Sequence, residues 1–277
     1  MTTQGEIQAA ARMDGTKTDG VEEVPCLCPT HGTYIFKRLP GQFGGYLRPV
    51  CPECADKNRT DAQTDAERER TRTMQAWVEQ RIGQAGVERR FQGKSLENYT
   101  ATIPEQALAL EVARRYLASI DDRIREGDCL VFCGAPGTGK SHLAASIVQG
   151  AIQDQQTAAY LSVYDLILIA RSTYGNQRVS LKDELAALAK VDLLAIDEVG
   201  AQAGSEDGWL LSAVIDARYR RQKPTIVISN LAPKALEEYL GTRVMDRLCE
   251  GKGVVVPFTW GSHRRGNRLS RQQERAA

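Results

Sequence analysis

Residues 134–141 have the composition and spacing of a phosphate-binding loop. They read Gly-Ala-Pro-Gly-Thr-Gly-Lys-Ser, which matches the pattern G-x-x-x-x-G-K-[ST] in full. The apolar residues 130–132 precede the loop, and a helix-forming sequence follows it, as the pattern requires. Glycines let backbone N–H groups turn inward around a phosphate, and the helix N-terminus adds its positive dipole. The nucleotide-binding residues predicted here are Gly134, Ala135, Pro136, Gly137, Thr138, Gly139, Lys140, Ser141 and His142.

A second motif supplies the acids that such a loop needs. Residues 191–198 form an apolar strand that ends in Asp197 and Glu198, and the carboxyl ends of strands are where ligands bind in open α/β sheets. Lys140 is predicted to reach the β- and γ-phosphates, and Ser141 and Asp197 to hold Mg²⁺. Glu198 is predicted to orient the attacking water. Either motif alone could be a simple turn, but together they predict binding and hydrolysis of ATP.

Other polar side chains are candidates for the same chemistry. Asn230 follows the apolar segment 225–229, where it could contact the γ-phosphate or could instead cap the helix that begins after Ala232. Phosphoryl transfer also needs positive charge near the γ-phosphate, often from an arginine of another subunit. The candidates are Arg243, Arg247 and Arg264, although chemistry alone favours a solvated surface arginine at each position.

Cysteine and histidine residues near the start of the chain have metal-ligand spacing. Cys28 and His31 form one C-x₂-H pair, Cys51 and Cys54 form one C-x₂-C pair, and 19 residues separate the two pairs. Two such pairs joined by a Gly/Pro-rich loop predict a structural zinc ribbon. Cys26 could replace Cys28 or His31 as a ligand. The cysteines that flank the apolar segment 129–133 are interpreted as small core hydrophobes.

The elements that must position these residues alternate between apolar strands and amphipathic helices, which predicts an α/β fold. Strands are predicted at 129–133, 158–162, 191–196, 225–229 and 253–258. Helices are predicted to begin near Gly139, Val163, Leu181, Glu206 and Pro233. The expected architecture is a five-stranded parallel sheet flanked by helices, with a small zinc-binding segment before it.

The predicted organisation has five parts. The charged segment 61–81 has Met74, Trp77, Val78 and Ile82 at helical spacing and is free of Gly and Pro, which predicts a helix ending near Gly83. The parts are a disordered leader at 1–22, the zinc ribbon at 23–58, a helical linker at 59–98, the ATPase domain at 99–265 and a basic tail at 266–277.

Bulk composition excludes some classes of protein. The 277 residues carry a formal net charge of only +1, so any nucleic-acid binding must come from local basic patches. The polar N-terminus has no apolar segment typical of a signal peptide, and no apolar run reaches the length of a membrane span. We therefore expect a cytoplasmic protein that does not enter a membrane.

The motifs together resemble the DnaC-type helicase loaders, a branch of the AAA+ ATPases related to DnaA and to the IstB transposition ATPases. The resemblance covers residues 81–265. It includes both ATP motifs, and its most selective parts are Arg-Val-Met-Asp-Arg at 243–247 and Phe-Thr-Trp-Gly-Ser-His-Arg at 258–264, with Ser-Leu-Glu-Asn-Tyr at 95–99 also matching. The resemblance implies an ATP-switched oligomer that delivers a DnaB-type replicative helicase onto single-stranded DNA, without a full C-terminal helical lid.

Residue roles follow from the resemblance. Arg247 is implied to be an arginine finger that acts on a neighbouring subunit, Arg264 a sensor arginine for the subunit's own nucleotide, Asn230 a sensor and Arg243 an interface residue. Tyr174 is implied to border single-stranded DNA, with Arg171, Arg178 and Lys182 as basic neighbours, although an exposed aromatic at a helix end would look the same.

Two other functions fit the same motifs. A transposition helper of the IstB kind would act on duplex DNA with a transposase, and an adaptor would use ATP binding without significant turnover. The zinc segment departs from the single-domain DnaC pattern and is more similar to loaders such as DnaI. A helicase is then expected to bind through the N-terminal part.

Overall fold

In a computed structural model of the chain, the described residues are 17–18, 21–38, 49–82, 91–174, 180–201 and 205–263. The chain divides into two compact units, Met1–Glu69 and Arg70–Ala277. The predicted basic tail and most of the predicted leader lie outside the described residues, as do Arg178 and Arg264.

The first unit contains a small antiparallel sheet with the strand order β1-β2-β3. Its strands are β1 (Lys17–Thr18), β2 (Val21–Cys28) and β3 (Gly32–Arg38). Cys28 pairs with Gly32 at the tight turn, where the φ angle of +82° suits glycine. The sheet begins inside the segment predicted to be a disordered leader, because Lys17 and Thr18 of β1 pair with Glu22 and Val21.

Helix α1 (Pro52–Ile82) is longer than the sequence predicted. The expected start at Asp61 is wrong, since the helix begins at Pro52, directly after Cys51. Proline has its φ already set for the first helical position and lacks only an N–H that would have no intrahelical partner there. At the other end, Trp77 and Val78 pack into the core of the second unit.

The second unit is built on a parallel sheet with the strand order β5-β6-β7-β4-β8. The predicted five-stranded parallel sheet is confirmed, and each strand begins within two residues of its predicted start. The strands are β4 (Leu130–Gly134), β5 (Ala158–Ser162), β6 (Leu193–Val199), β7 (Thr225–Ser229) and β8 (Val254–Phe258). Cys129 and Cys133 are buried, as expected of small core hydrophobes.

Helices cover both faces of this sheet, and two buried apolar clusters lie between the helices and the strands. They are α2 (Pro104–Ala118), α3 (Ile120–Glu126), α4 (Lys140–Gln153), α5 (Val163–Ser172), α6 (Leu181–Leu188), α7 (Ser205–Tyr219), α8 (Pro233–Leu240) and α9 (Thr242–Cys249). The five predicted helix starts agree within one residue, whereas α2, α3 and α9 were not predicted separately. None of the helices in the described ranges combines the length and the apolar character that a bilayer crossing requires.

Arg218, near the end of α7, is fully buried. Its guanidinium donates to four backbone carbonyl oxygens at 2.6–3.3 Å and to the Thr225 hydroxyl at 3.1 Å. The four carbonyls belong to Leu188, Val191, Asp192 and Pro224. Burial lowers the pKa of Arg218 to about 10, so the side chain stays charged at neutral pH. One side chain therefore joins the end of α6 to the starts of β6 and β7.

Replacing Arg218 tests this role. Arg218→Met would leave several buried carbonyls without a donor, so we expect the free energy of unfolding to fall by about 3 kcal/mol or more. The free energy of unfolding of Arg218→Lys should lie between those of the wild type and Arg218→Met, because one ammonium cannot reach all four carbonyls. Urea unfolding gives the values, and exposed Arg220→Met should stay within about 0.5 kcal/mol of the wild type. Equal losses for Arg218→Met and Arg220→Met would contradict the assignment.

Candidate functional site

The glycine-rich loop joins β4 to α4, as the sequence predicted. Gly134, Gly137 and Gly139 all have positive φ angles, between 77° and 123°. At Gly134 a Cβ atom would lie 2.3 Å from the Phe258 carbonyl oxygen, so only glycine lets β4 and β8 approach this closely. The Lys140 ammonium donates to the carbonyl oxygens of Gly134 at 2.8 Å and of Ala135 at 2.7 Å. The lysine charge is therefore held inside the loop that would surround a phosphate.

Two aromatic side chains hold the outer side of this loop. The Trp260 indole donates to the Thr138 carbonyl at 3.0 Å, and the Tyr99 hydroxyl donates to the same oxygen at 3.4 Å. The His263 backbone N–H donates to the Gly137 carbonyl at 2.9 Å. The segments 95–99 and 258–264, which the sequence analysis singled out, thus hold two backbone carbonyls of the loop, those of Gly137 and Thr138.

The acids at the end of β6 meet the loop. The Ser141 hydroxyl donates to Asp197 Oδ2 at 2.7 Å, so the two predicted magnesium ligands lie in direct contact. Asp197 is 8% exposed, and it also accepts hydrogen bonds from the Tyr160 hydroxyl and the Glu198 backbone N–H. Tyr160 was missed by the sequence analysis, although a tyrosine inside an apolar strand signals that its hydroxyl needs a partner.

The backbone at Glu198 is unusual. Its φ angle is +61°, in the left-handed region that non-glycine residues rarely occupy, and the pairing of β6 with β7 shifts register between Ile196 and Val199. Such irregularities redirect side chains near active sites. Here Asp197 turns inward to Ser141, while the next side chain, Glu198, is exposed. The two acids therefore differ in environment, as a metal ligand and a water-activating base would.

The strand order places Asn230 at the carboxyl-terminal end of the sheet, where the glycine-rich loop and the two acids also lie. Asn230 follows β7, which lies between β4 with its loop and β6 with its acids. The next helix, α8, has Ala232 at its N-cap and no side-chain cap. The capping alternative for Asn230 therefore loses its support. His142, in contrast, turns away from the loop, since its ring hydrogen bonds to the Ser95 carbonyl at 3.0 Å and packs edge-on against Tyr99.

Arg247 lies near the amino-terminal ends of the strands, opposite the end that carries the glycine-rich loop. It is on α9, where it forms an ion pair with Asp216 and stacks over the Tyr219 ring at 5.0 Å from the centroid. Tyr219 ends α7, just before the start of β7, and therefore lies near the amino-terminal ends of the strands. Arg247 is thus remote from the loop of its own chain. Arg243, one turn earlier on α9, is exposed.

The predicted DNA contacts lie at the end of α5 and the start of α6. Tyr174 is 69% exposed, its N–H donates to the Arg171 carbonyl at 3.1 Å, and Arg171 and Lys182 are both exposed. Tyr164 and Leu168 on α5 are also exposed, and they lie one helical turn apart.

The four predicted metal ligands lie together in the first unit. The ligand atoms of Cys28, His31, Cys51 and Cys54 are all within 4.8 Å of one another. Backbone N–H groups of Thr30 and His31 lower the pKa of Cys28 to about 6, which favours its thiolate. Cys26, the alternative ligand, is not in this group.

Glu53 completes the histidine's surroundings. Its carboxylate lies 3.5 Å from His31 Nε2, while His31 Nδ1 faces the cysteine sulfurs at 3.3–3.6 Å. A carboxylate on the far ring nitrogen is the usual partner of a metal-bound histidine, because it fixes the tautomer. The sequence analysis also missed Glu53, although its position between the two predicted ligands Cys51 and Cys54 indicated that it could lie beside the metal site.

Comparison with known proteins gives consistent matches. Residues 67–270 match the model of a family described as "IstB-like ATP binding protein". The chain is 33% identical over 188 residues to the replicative helicase loader DnaC of Escherichia coli strain K12, covering 68% of this chain and 76% of DnaC. It is also 30% identical over 248 residues to the E. coli K12 protein YdaV, covering 89% of this chain and 93% of YdaV.

Solved structures show a similar fold. A crystal structure of the DnaC helicase loader aligns with a TM-score of 0.56 and 23% identity, covering 62% of this chain and 100% of that one. The AMPPCP-bound DnaA of Aquifex aeolicus aligns with a TM-score of 0.51 and 20% identity, covering 66% of this chain and 55% of DnaA. The AAA+ architecture predicted from the sequence is confirmed.

Proposed function

The chain belongs to the family of IstB-like ATP-binding proteins, and on that premise we propose that it loads a DnaB-type replicative helicase onto single-stranded DNA. One observation carries the proposal: a complete ATP cradle, with Ser141 and Asp197 in contact, lies in a chain that aligns over 76% of a replicative helicase loader. The protein would act in the cytoplasm. The IstB-like alternative, a transposition helper on duplex DNA, shares the cradle, but the relatives named as helicase loaders favour loading.

The proposed chemistry is Mg²⁺-dependent hydrolysis of ATP. The loop N–H groups and Lys140 would bind the phosphates, and Ser141 and Asp197 would hold Mg²⁺, for which hydroxyl and carboxylate oxygens are suitable ligands. Exposed Glu198 would orient the attacking water, and Asn230 would contact the γ-phosphate or that water. Arg264 is proposed to reach the same nucleotide, on the basis of its place in the 258–264 motif.

Arg247 is proposed to act on the nucleotide of a neighbouring subunit. Its position at the edge opposite its own loop supports action in trans rather than in cis. Arg243 would contribute to the same interface. An arginine finger stabilises the negative charge of the phosphoryl-transfer transition state, so hydrolysis would depend on self-association.

Single-stranded DNA is proposed to bind along α5 and the turn that follows. Exposed Tyr174, Arg171 and Lys182 support this proposal, and Arg178 would add a further charge. Stacking of bases on an aromatic side chain together with basic neighbours gives binding without sequence preference.

The first unit is proposed to hold a structural Zn²⁺ ion and to bind the helicase. Zinc bond lengths of about 2.3 Å to sulfur and about 2.0–2.1 Å to nitrogen put tetrahedral ligand atoms about 3.5–3.8 Å apart. The sulfur–sulfur distance of 3.6 Å between Cys28 and Cys54 and the 3.3–3.6 Å distances from His31 fit this geometry. Exposed Leu27 and Ile35 on the hairpin offer an apolar surface for a protein partner.

Copurification with a replicative helicase tests the function. We expect a tagged Glu198→Gln protein to bind ATP, hydrolyse it at least 100-fold more slowly and retain the helicase, because the cradle is intact and only the water-orienting carboxylate is lost. In the wild type, ATP turnover should release the helicase onto a single-stranded circle. Helicase unwinding and nucleotide turnover are the measurements.

Two controls make the result specific. Lys140→Ala should lose nucleotide binding, and Tyr174→Ala should keep the ATP-dependent helicase complex while losing single-stranded DNA. Absence of any helicase complex, together with assembly on duplex DNA beside a transposase, would favour the transposition helper. Release of helicase by Glu198→Gln at the wild-type rate would make the protein an ATP-binding adaptor.

Mixing two inactive variants tests the arginine in trans. Arg247→Ala keeps its own cradle, whereas Lys140→Ala keeps its arginine, so each alone should hydrolyse ATP at least about 100-fold more slowly than the wild type. An equimolar mixture should recover a substantial part of the wild-type rate, because one subunit can supply the arginine to the other's nucleotide. Arg220→Ala, on the same edge, is the control and should keep full activity. No recovery in the mixture would argue against an arginine supplied in trans.

Metal analysis of cysteine variants tests the zinc site. Cys51→Ser should drop the zinc content from about one ion per chain to a small fraction, because three ligands hold a structural zinc poorly. Cys26→Ser should keep its zinc, since Cys26 is outside the ligand group. Emission spectrometry on the purified proteins gives the number of zinc ions per chain. Loss of zinc from both variants would indicate that Cys26 is the fourth ligand. An unchanged zinc content in Cys51→Ser would contradict the proposed zinc site.

A further inference from the structure

Tyr160 connects strand β5 to the acids of the cradle. It is 2% exposed, and its hydroxyl donates to Asp197 Oδ2, the same oxygen that accepts from Ser141. The other carboxylate oxygen, Oδ1, accepts from the Glu198 backbone N–H at 2.6 Å. Neither the phosphate-loop motif nor the acidic motif contains this tyrosine.

We propose that Tyr160 is a positioning residue for the magnesium-binding carboxylate and, through it, for the Glu198 base. The inference rests on the proposed Mg²⁺-dependent hydrolysis and extends it to a residue of a third strand. Tyr160 acts through Asp197 rather than by contact with the nucleotide, because its hydroxyl fixes the rotamer of that carboxylate.

The distribution of donors around Asp197 supports this role. A serine that ligates Mg²⁺ through its oxygen still has its proton available for a carboxylate, so the contact between Ser141 and Asp197 suits the metal-bound site. Ser141 lies in the first turn of α4, directly after the loop that must bind the phosphates, whereas Tyr160 lies inside the buried strand β5, away from that loop. The tyrosine is therefore the donor that can hold Asp197 without also responding to the nucleotide, and such support from a rigid element gives accurate placement.

The link to Glu198 follows from the backbone. Glu198 has a φ angle of +61°, which is unfavourable for a non-glycine residue, and its N–H is held by Asp197. If Asp197 rotates, Glu198 loses the contact that holds its backbone in that conformation. One hydroxyl on β5 thus acts on both the metal ligand and the base.

The alternative is a purely structural tyrosine, whose hydroxyl only satisfies a buried carboxylate. The two roles differ in their effect on magnesium. A structural role would change stability, whereas a positioning role changes the Mg²⁺ concentration needed for activity at constant stability.

Tyr160→Phe removes the hydroxyl and keeps the ring. We expect the Mg²⁺ concentration for half-maximal ATPase activity to rise about tenfold, the loss typical of one hydrogen bond to a charged group. The maximal rate should also fall, while ATP binding in EDTA stays unchanged.

Tyr116→Phe is the matched control. Tyr116 is also buried, and its hydroxyl donates at 2.8 Å to the Asp128 carbonyl, at the opposite edge of the sheet. This variant should keep the wild-type Mg²⁺ dependence. An unchanged Mg²⁺ dependence in Tyr160→Phe, or equal shifts in both variants, would overturn the proposal.

Two further measurements separate the possible failures. If Tyr160→Phe melts at a lower temperature than Tyr116→Phe, Tyr160→Phe is also introduced into Asp197→Asn, and the Mg²⁺ dependence of nucleotide binding is compared with and without it. The effect of the tyrosine substitution should disappear in this background. An effect of the same size there would overturn the proposal. Lys140→Ala tests the underlying site. Wild-type hydrolysis by Lys140→Ala would overturn the proposed function itself, whereas a dead Lys140→Ala beside a normal Tyr160→Phe would overturn only this inference.

Discussion

The contact between Ser141 and Asp197 depends on the order of strands in the sheet. β4 and β6 are not neighbours, because β7 lies between them, and strands about 4.8 Å apart leave roughly 10 Å between the two. The loop after β4 must therefore extend over the end of β7 before Ser141 can reach the acid on β6. β7 ends at Ser229, and Asn230 directly follows this strand that the loop must cross. The 2.7 Å hydrogen bond between Ser141 and Asp197 shows that the chain after β4 makes this crossing.

The polar groups at the carboxyl-terminal and the amino-terminal ends of the parallel strands have different roles. At the carboxyl-terminal edge, polar groups converge on a space that a ligand can fill, and Trp260 and Tyr99 hold the loop from outside. At the amino-terminal ends of the strands, the buried Arg218 guanidinium already donates to four backbone carbonyls of the incoming chain. A buried arginine needs many good contacts to offset its desolvation, and Arg218 donates to the four carbonyls and to the Thr225 hydroxyl.

Local patterns predicted most of the fold and the core of the site. Gly134, Lys140 and Asp197 each belong to a short motif whose geometry is fixed by neighbouring residues, so a single sequence sufficed. Tyr160 and Glu53 could not be assigned in this way, because their roles depend on strand register and on the approach of distant segments. The early start of α1 was missed because Cys51 and Cys54 suggested a knuckle, while Pro52 in fact begins a helix.

The environment of Arg247 bears on how such a protein could regulate itself. If Arg247 acts in trans as proposed, its guanidinium must exchange or share its contact with Asp216 when a γ-phosphate approaches. The gain in transition-state stabilisation is then the difference in energy between two charge-assisted hydrogen bonds. This gain is smaller than the one that an arginine without an ion-pair partner would provide. Tyr219 stacks on the guanidinium and keeps it oriented during this exchange. An interface built on such a difference would be easily reversed, which suits a factor that assembles on ATP and separates after hydrolysis.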